Sequence, residues 1–388
     1  FFLGQLTGTD SIRAAMQAET FLKADERLEK AELALPEGVS IPEVPVPDFP
    51  KDQVVEPIAM HVPEDCFYIR TGSFANFLWL SRNVEIWGSQ VRDVVTRRPV
   101  DFGLRSKIER QLALRETALA RVFGDQAVSD VALIGADTSL REGAALGIIF
   151  EAKRSTLLAT QIIAQRYAAA AESADARQSV VMIDGQEVAL VATPDNSIRS
   201  FYVRDGDYHL VTNSRTIARD FIRAGQGRAV LGKLDEFRHA RHLMPASAEQ
   251  TAFVYLSDPF FRRLVGPHYR VEMTRRMRAL TDIEAVPYAK LAARHEQQPG
   301  ETIQELVESR VLPTLFLTRP DGSKTELVDG KVVDSLRGGH GCFVPVPDIE
   351  IEGVTQSEIS AYEKFRQQYR RLWTRVDPVA ISIQRTGV

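Results

Sequence analysis

The chain has 388 residues, 44% hydrophobic and 26% charged, with a formal net charge of −4. That is globular composition, long enough for about two or three domains, and it has no basic excess to make nucleic acid the main partner. Two cysteines are too few for a disulfide framework or a four-thiolate zinc site, and no apolar run reaches the roughly 18 residues of a spanning helix.

The sequence opens Phe1-Phe2-Leu3-Gly4, without methionine. This start reads as the stub of a removed signal or anchor, or as a cut within a longer protein. A first helix is expected from about Asp10 to Leu35, capped by Thr9 or Asp10. Phe21, Ala24, Leu28, Ala31 and Leu35 follow the 3,4 spacing of a short coiled-coil seam, which marks them as candidates for pairing with a partner helix or a second copy. From Pro36 to Pro63 the proline density predicts an extended strap, and its interspersed apolar residues predict that it lies on a surface.

From Asp65 the signals are those of a folded domain. Cys66 to Ile69 reads as a strand, and Ser73 caps a helix whose apolar face is Phe77, Leu80, Val84, Trp87, Val91 and Val94. A second helix is expected from about Gly103 to Phe123. Val131–Ile134 and Ala144–Phe150 read as buried strands, followed by an alanine-rich helix that ends near Ala174. Asp184-Gly185 and Asp205-Gly206 predict two hairpins, since such pairs supply the positive φ of tight turns. Asn213 or Ser214 caps a helix that Gly225 stops. Ala252–Leu256 is a strand, Asp258-Pro259 starts a helix, and Gly266-Pro267 interrupts it before a longer one running to about Ala285. A third hairpin is expected around Asp321-Gly322. Thr355 to Glu358 forms a capping box before a helix ending at Asp377-Pro378, and Val379–Ile383 is a last strand.

Cys66–Phe74 and Ala252–Phe260 echo one another as strand, capping residue and aromatic-led helix. The expected fold is therefore α+β: antiparallel sheets with packed helices, in two related lobes, after an N-terminal helix and a Pro-rich strap. The expected boundaries are 1–63 for helix and strap, 64–250 for the first lobe and 251–388 for the second.

Two stretches carry a resemblance. One is Gly143-Ala-Ala-Leu-Gly-Ile-Ile-Phe150 with Asp205-Gly-Asp-Tyr-His-Leu-Val-Thr-Asn-Ser-Arg-Thr-Ile217. The other is Gly339-His340-Gly341 with Val354-Thr355 to Trp373 and Asp377-Pro378. They resemble a family of exported bacterial proteins built on a domain of unknown function, and are similar to large proteins of planctomycete-type bacteria. The resemblance covers about two-thirds of the chain. It implies an α+β fold and an extracytoplasmic setting, in the periplasm or cell envelope, and it brings no activity with it.

Phosphate-loop, dinucleotide, nucleophile-elbow and zinc-protease motifs are all missing, and no cofactor is implied. His340 and Cys342, in the glycine-rich run Arg337 to Cys342, are the candidates for a thiolate–imidazole hydrolase site. Cys66 and Cys342 are candidates for one disulfide. His239 and His242 share helical spacing with Asp235, but Arg238 and Arg241 between them disfavour a metal. Arg262, Arg263, Arg270, Arg275, Arg276 and Arg278 form the densest charge feature and the candidate anionic surface, a membrane surface included. The leading expectation is a structural, assembly or protein-binding role, with self-association through the first helix. The hydrolase and the anionic-surface binder are the alternatives.

Overall fold

The computed structural model describes residues 30–42, 45–81, 104–114, 126–140, 142–247, 250–372 and 378–385. The fold is α+β, and the chain divides into two compact units, each discontinuous in sequence. One comprises Ile41–Leu264 and Arg375–Val388, the other Phe1–Ser40 and Val265–Thr374. These boundaries differ from the breaks at 63/64 and 250/251 expected from sequence.

The Ile41–Leu264 unit is organised by β1 (Phe67–Arg70), β2 (Val128–Gly135), β3 (Leu146–Ala152), β4 (Arg177–Ile183), β5 (Gln186–Ala192), β6 (Arg199–Asp205), β7 (Tyr208–Thr212), β8 (Gln250–Leu256) and β12 (Val379–Gln384). Among the described residues they form one nine-stranded sheet in the order β12-β8-β1-β2-β3-β7-β6-β5-β4, with antiparallel neighbours throughout. Side chains alternate between its faces, as the pleat requires. On one face Tyr68, Ile134, Ile149, Leu210 and Phe253 pack under the 3₁₀ turn Pro57–His61 and the helices Arg215–Gly225 and Asp235–Leu243. On the other, Val131, Ile148, Phe150 and Val211 pack against Phe74, Leu112 and the helix Ser155–Ala171. We number the helices α1 (Leu104–Leu112), α2 (Ser155–Ala171), α3 (Arg215–Gly225), α4 (Asp235–Leu243) and α5 (Asp258–Val265). The two echoing phrases of the sequence give β1 and β8, which are antiparallel partners in this single sheet, Tyr68 opposite Tyr255. They are not equivalents in separate lobes.

The α3 cap is Ser214, whose Oγ accepts from the Ile217 amide at 3.2 Å. Asn213 instead ties three segments together. Its amide group donates to Gln111 Oε1 and Ala144 O at 2.9 and 2.7 Å, and its oxygen accepts from the Leu146 amide at 2.8 Å.

The other unit holds α6 (Pro267–His295), α7 (Ile303–Glu308), α8 (Gln356–Leu372) and a three-stranded sheet, β11-β10-β9, of β9 (Thr325–Val328), β10 (Lys331–Asp334) and β11 (Gly338–Gly339). Helix α6 runs ten residues beyond its expected end, through Pro287. Burial of Val286, Ala289 and Ala293 against Ile303 and Leu306 holds that extension despite the lost proline donor. The third hairpin turns at Asp329-Gly330, both at positive φ, and not at Asp321-Gly322, because residues 314–316 form a 3₁₀ turn and not a strand. The capping box of α8 forms as expected: Thr355 Oγ1 accepts from the Glu358 amide at 3.1 Å, and Glu358 Oε2 from the Thr355 amide at 2.8 Å.

The expected first helix is corrected at its end. Ala31 and Leu35 lie in extended chain, where Leu33 pairs with Val354 in both directions at 3.0 and 2.8 Å. Pro36 disfavours helical geometry in the residue before it, so a seam cannot run through Leu35. Phe21, Ala24 and Leu28 lie outside the described residues. So do Val84, Trp87, Val91 and Val94, expected on the helix that begins at residue 74. Among the described residues no helix is long and apolar enough to cross a membrane.

Candidate functional site

The β4–β5 hairpin closes on Asp184 and Gly185 at φ 48° and 81°, the two positive values of a type I′ turn. Seven consecutive residue pairs, Arg177 opposite Ala192 through Ile183 opposite Gln186, run without a bulge. Among the described residues β5 is the single strand neighbour of β4. Its outer side therefore presents main-chain donors and acceptors, with Met182 O receiving Arg215 Nη2 at 3.3 Å. Arg177, Gln178, Ser179 and Val180 are all exposed, and Val180 and Met182, on one face, keep 63% and 56% of their surface in solvent. Natural edge strands are blunted by lysines, prolines or bulges. β4 has none of these, and its one charge, Arg177, sits at its first residue. Such an edge is a template for adding a strand. At the opposite end of the sheet, among the described residues, β12 pairs with β8 alone and exposes Val379 and Ile381.

A second feature is a polar row across the sheet face that packs under Pro57–His61. Asp130 of β2 lies opposite Glu151 of β3, Glu151 opposite Tyr208 of β7, and Tyr208 opposite Asp205 of β6. Directly opposed residues share a face, so the four side chains line up. Burial, and then the Asp130 charge, raise the Glu151 carboxyl; burial raises Asp130 despite its Arg70 partner at 2.5 Å. Burial pushes the Tyr208 phenol up to about 12. His61 stacks on Tyr208 with ring centroids 3.7 Å apart and stands 3.2 Å from Asp205, while burial lowers its pKa against that carboxylate. Beyond Arg70, Glu56 Oε1 accepts from Tyr68 Oη at 2.8 Å and from two nitrogens of Arg241, which lies 3.5 Å over the Phe253 ring. Neighbouring carboxylates held above their usual range can exchange protons. Here Arg70 pairs with Asp130 and Arg241 with Glu56, and among the described residues no cluster of metal-ligating side chains forms. No sequence motif announces this row, because its members come from four strands.

The six arginines of the candidate anionic surface have protein partners or aromatic neighbours. Arg262 pairs with Asp258 at 2.5 Å and donates to Ile41 O at 2.9 Å, and Arg263 pairs with Asp65. Arg270 lies 4.1 Å over the Phe365 ring. Arg275 is bidentate to Glu358 at 2.6 and 2.8 Å, Arg276 is fully buried and donates to Val344 O, and Arg278 stands 3.5 Å from Asp282. Each of these contacts lies within one unit, and the run is engaged with its own protein.

His340 and Cys342 fall in a turn, with the Cys342 amide donating to Gly339 O at 3.0 Å and Gly341 at φ 78°. They do not share a strand face, and exposed His340 stands 3.9 Å from Glu284. Cys66 and Cys342, the pair considered for a disulfide, are both free thiols; Cys66 is buried, and burial pushes its thiol up. The glycine run owes its conformation to Arg337. Its guanidinium grips Glu272 at 2.8 and 2.9 Å and Asp321 at 2.6 Å. Arg319 bridges Asp282 and Asp334 beside it at 2.9 and 2.7 Å.

No family model, curated protein or solved structure matches the chain. The likeness to exported bacterial proteins rests on the residues quoted for it.

Proposed function

We propose that this protein is an assembly component that associates with a second copy of itself through the open edge of β4. The seven-residue β4 edge, with no second strand neighbour among the described residues and with Val180 and Met182 exposed, is the observation behind this reading. The strand's own sequence supports a homotypic pair. Laid antiparallel about Val180, it sets Val180 against Val180, Ser179 against Val181, Gln178 against Met182 and Arg177 against Ile183. No like charges meet, which is the condition that usually decides such a pairing. Two copies joined this way form one continuous sheet with a closed two-fold interface.

Light scattering over a concentration series tests this. The wild-type chain is expected to reach twice its monomer mass, and Val180→Lys/Met182→Lys, which puts charge on the edge, to remain a monomer. A wild-type chain monomeric throughout, or a double variant that still dimerises, would sink the reading.

A further inference from the structure

On the sheet face opposite the polar row, three side chains form a hydrogen-bonded chain at the start of α2. Ser155 Oγ lies 2.8 Å from His209 Nε2, and His209 Nδ1 lies 2.8 Å from Tyr202 Oη. Ser155 is the first residue of α2, separated from the end of β3 by two residues, so a short strand-to-helix turn presents it. His209 and Tyr202 are buried, whereas Ser155 is half-buried and Lys153, Arg154, Thr156 and Gly206 around it are exposed. The site therefore has a fixed interior and an open rim.

A 17-residue helix leaves its first amides without intrahelical acceptors. Here the amides of Lys153 and Arg154 bond to Ala127 O, and no side chain caps the helix. The amides of Ser155, Thr156 and Leu157 have no acceptor among the described residues. They face the same end of the helix as Ser155 Oγ, where donors for a developing oxyanion are needed. Further contacts hold the frame. Arg166 donates to Ser200 Oγ at 3.1 Å and Ala189 O at 2.9 Å and lies 5.6 Å from the Tyr202 ring. Gly206 O, 3.1 Å from Ser155 Oγ, is a second acceptor for the hydroxyl proton, so the reactive rotamer is the one that turns it to His209 Nε2.

We propose that Ser155 is a nucleophile for acyl transfer from carboxylic esters, with His209 as its base and Tyr202 as the residue that positions the imidazole. With the imidazole proton on Nδ1, His209 donates to Tyr202 Oη, and Nε2 faces the Ser155 hydroxyl as an acceptor. Ser155 Oγ adds to the ester carbonyl carbon and its proton passes to His209 Nε2. The carbonyl electron pair moves onto oxygen, against the Thr156 and Leu157 amides. Collapse breaks the bond to the alkoxide, which takes the proton from Nε2 and leaves as the alcohol. Water then adds to the acyl-serine by the same proton route, releasing the carboxylic acid and restoring Ser155. Burial, with Arg204 nearby, lowers His209 to about 4. The imidazole is thus neutral at pH 7, and its weak basicity makes acylation slow. Covalent capture is accordingly a better reporter than turnover.

The test is labelling of the purified full chain with a fluorophosphonate, read by intact mass and peptide mapping. One adduct on Ser155 is expected. Ser155→Ala should abolish it, and His209→Gln should slow it on the order of 100-fold. The wild-type labelling rate should level off above a midpoint near pH 4, where the imidazole loses its proton. A serine driven by hydroxide alone would keep climbing about tenfold per pH unit. Tyr202→Phe should keep the adduct and move that midpoint. No adduct on Ser155, an unchanged rate in His209→Gln, or a wild-type rate that climbs without levelling would overturn the assignment. The wild-type pH profile decides the matter even if the His209 variant does not fold.

Discussion

Asp321 shows how buried charge is managed at the scale of one residue. Burial would raise its carboxyl, but the Arg337 guanidinium at 2.6 Å overrides this and brings its pKa down from 3.8 to about 2. A carboxylate depressed in the folded state stabilises above its ordinary pKa, and that contribution is lost as pH falls through the folded value. Asp321→Asn should therefore cost about 2 kcal/mol at pH 7, with the gap to wild type closing between pH 4 and pH 2. Urea midpoints of the two proteins across that range check this, and a pH-independent gap would contradict it. The sequence shows Arg337 as part of a glycine run. It cannot show Glu272 and Asp321, because they arrive from α6 and from the turn before β9. The same limit applies to Ser155, His209 and Tyr202, whose spacing matches no local motif. One partial signal was present: the hairpin that follows Asp205 places Tyr202 and His209 on facing strands, two pairs apart in register and so on one face.

At the scale of elements, local chemistry set most boundaries. Ser214 and Thr355 cap where their side chains can reach free amides, and Asp184-Gly185 turns where positive φ is required. Where an element depended on its neighbour, local signals misled. The seam through Ala31 and Leu35 has helical spacing, yet pairing with Val354 and the approach to Pro36 hold that segment extended. Gly135 is such a neighbour-dependent position. A Cβ there would stand 2.4 Å from the Phe67 ring and 2.8 Å from Ala145 O. Gly135→Ala should thus destabilise the protein by about 1–3 kcal/mol, seen as a lower urea midpoint. Phe67→Leu in the same chain should restore part of that loss. An unchanged midpoint in the single variant would show that the β1–β2 pair gives way easily.

For the whole molecule, connectivity is the consequential feature. The sheet unit is completed by β12, from the far end of the described chain, which pairs with β8 over Val379 to Gln384. Gln250 of β8 spans Arg241 and Ser382 of β12 at 3.0 and 2.8 Å. Deleting residues 378–388 should leave β8 as an edge, and its amides should exchange at least roughly tenfold faster, while those of β6 and β7 stay protected. Equal protection of β8 in both forms would mean that β12 contributes nothing to it. The sequence by itself determined the α+β class, the hairpin turn at Asp184-Gly185, the hairpin after Asp205 with its turn one residue later at Gly206-Asp207, and the α8 capping box, because each follows from periodicity or from the chemistry of adjacent residues. Only the tertiary structure decided that the echoing phrases pair within one sheet, that the arginine run meets its own carboxylates, carbonyls and aromatic rings, and that among the described residues β4 is left as an edge. Those outcomes depend on which distant segments become neighbours, and that is set by how the sheet orders its strands.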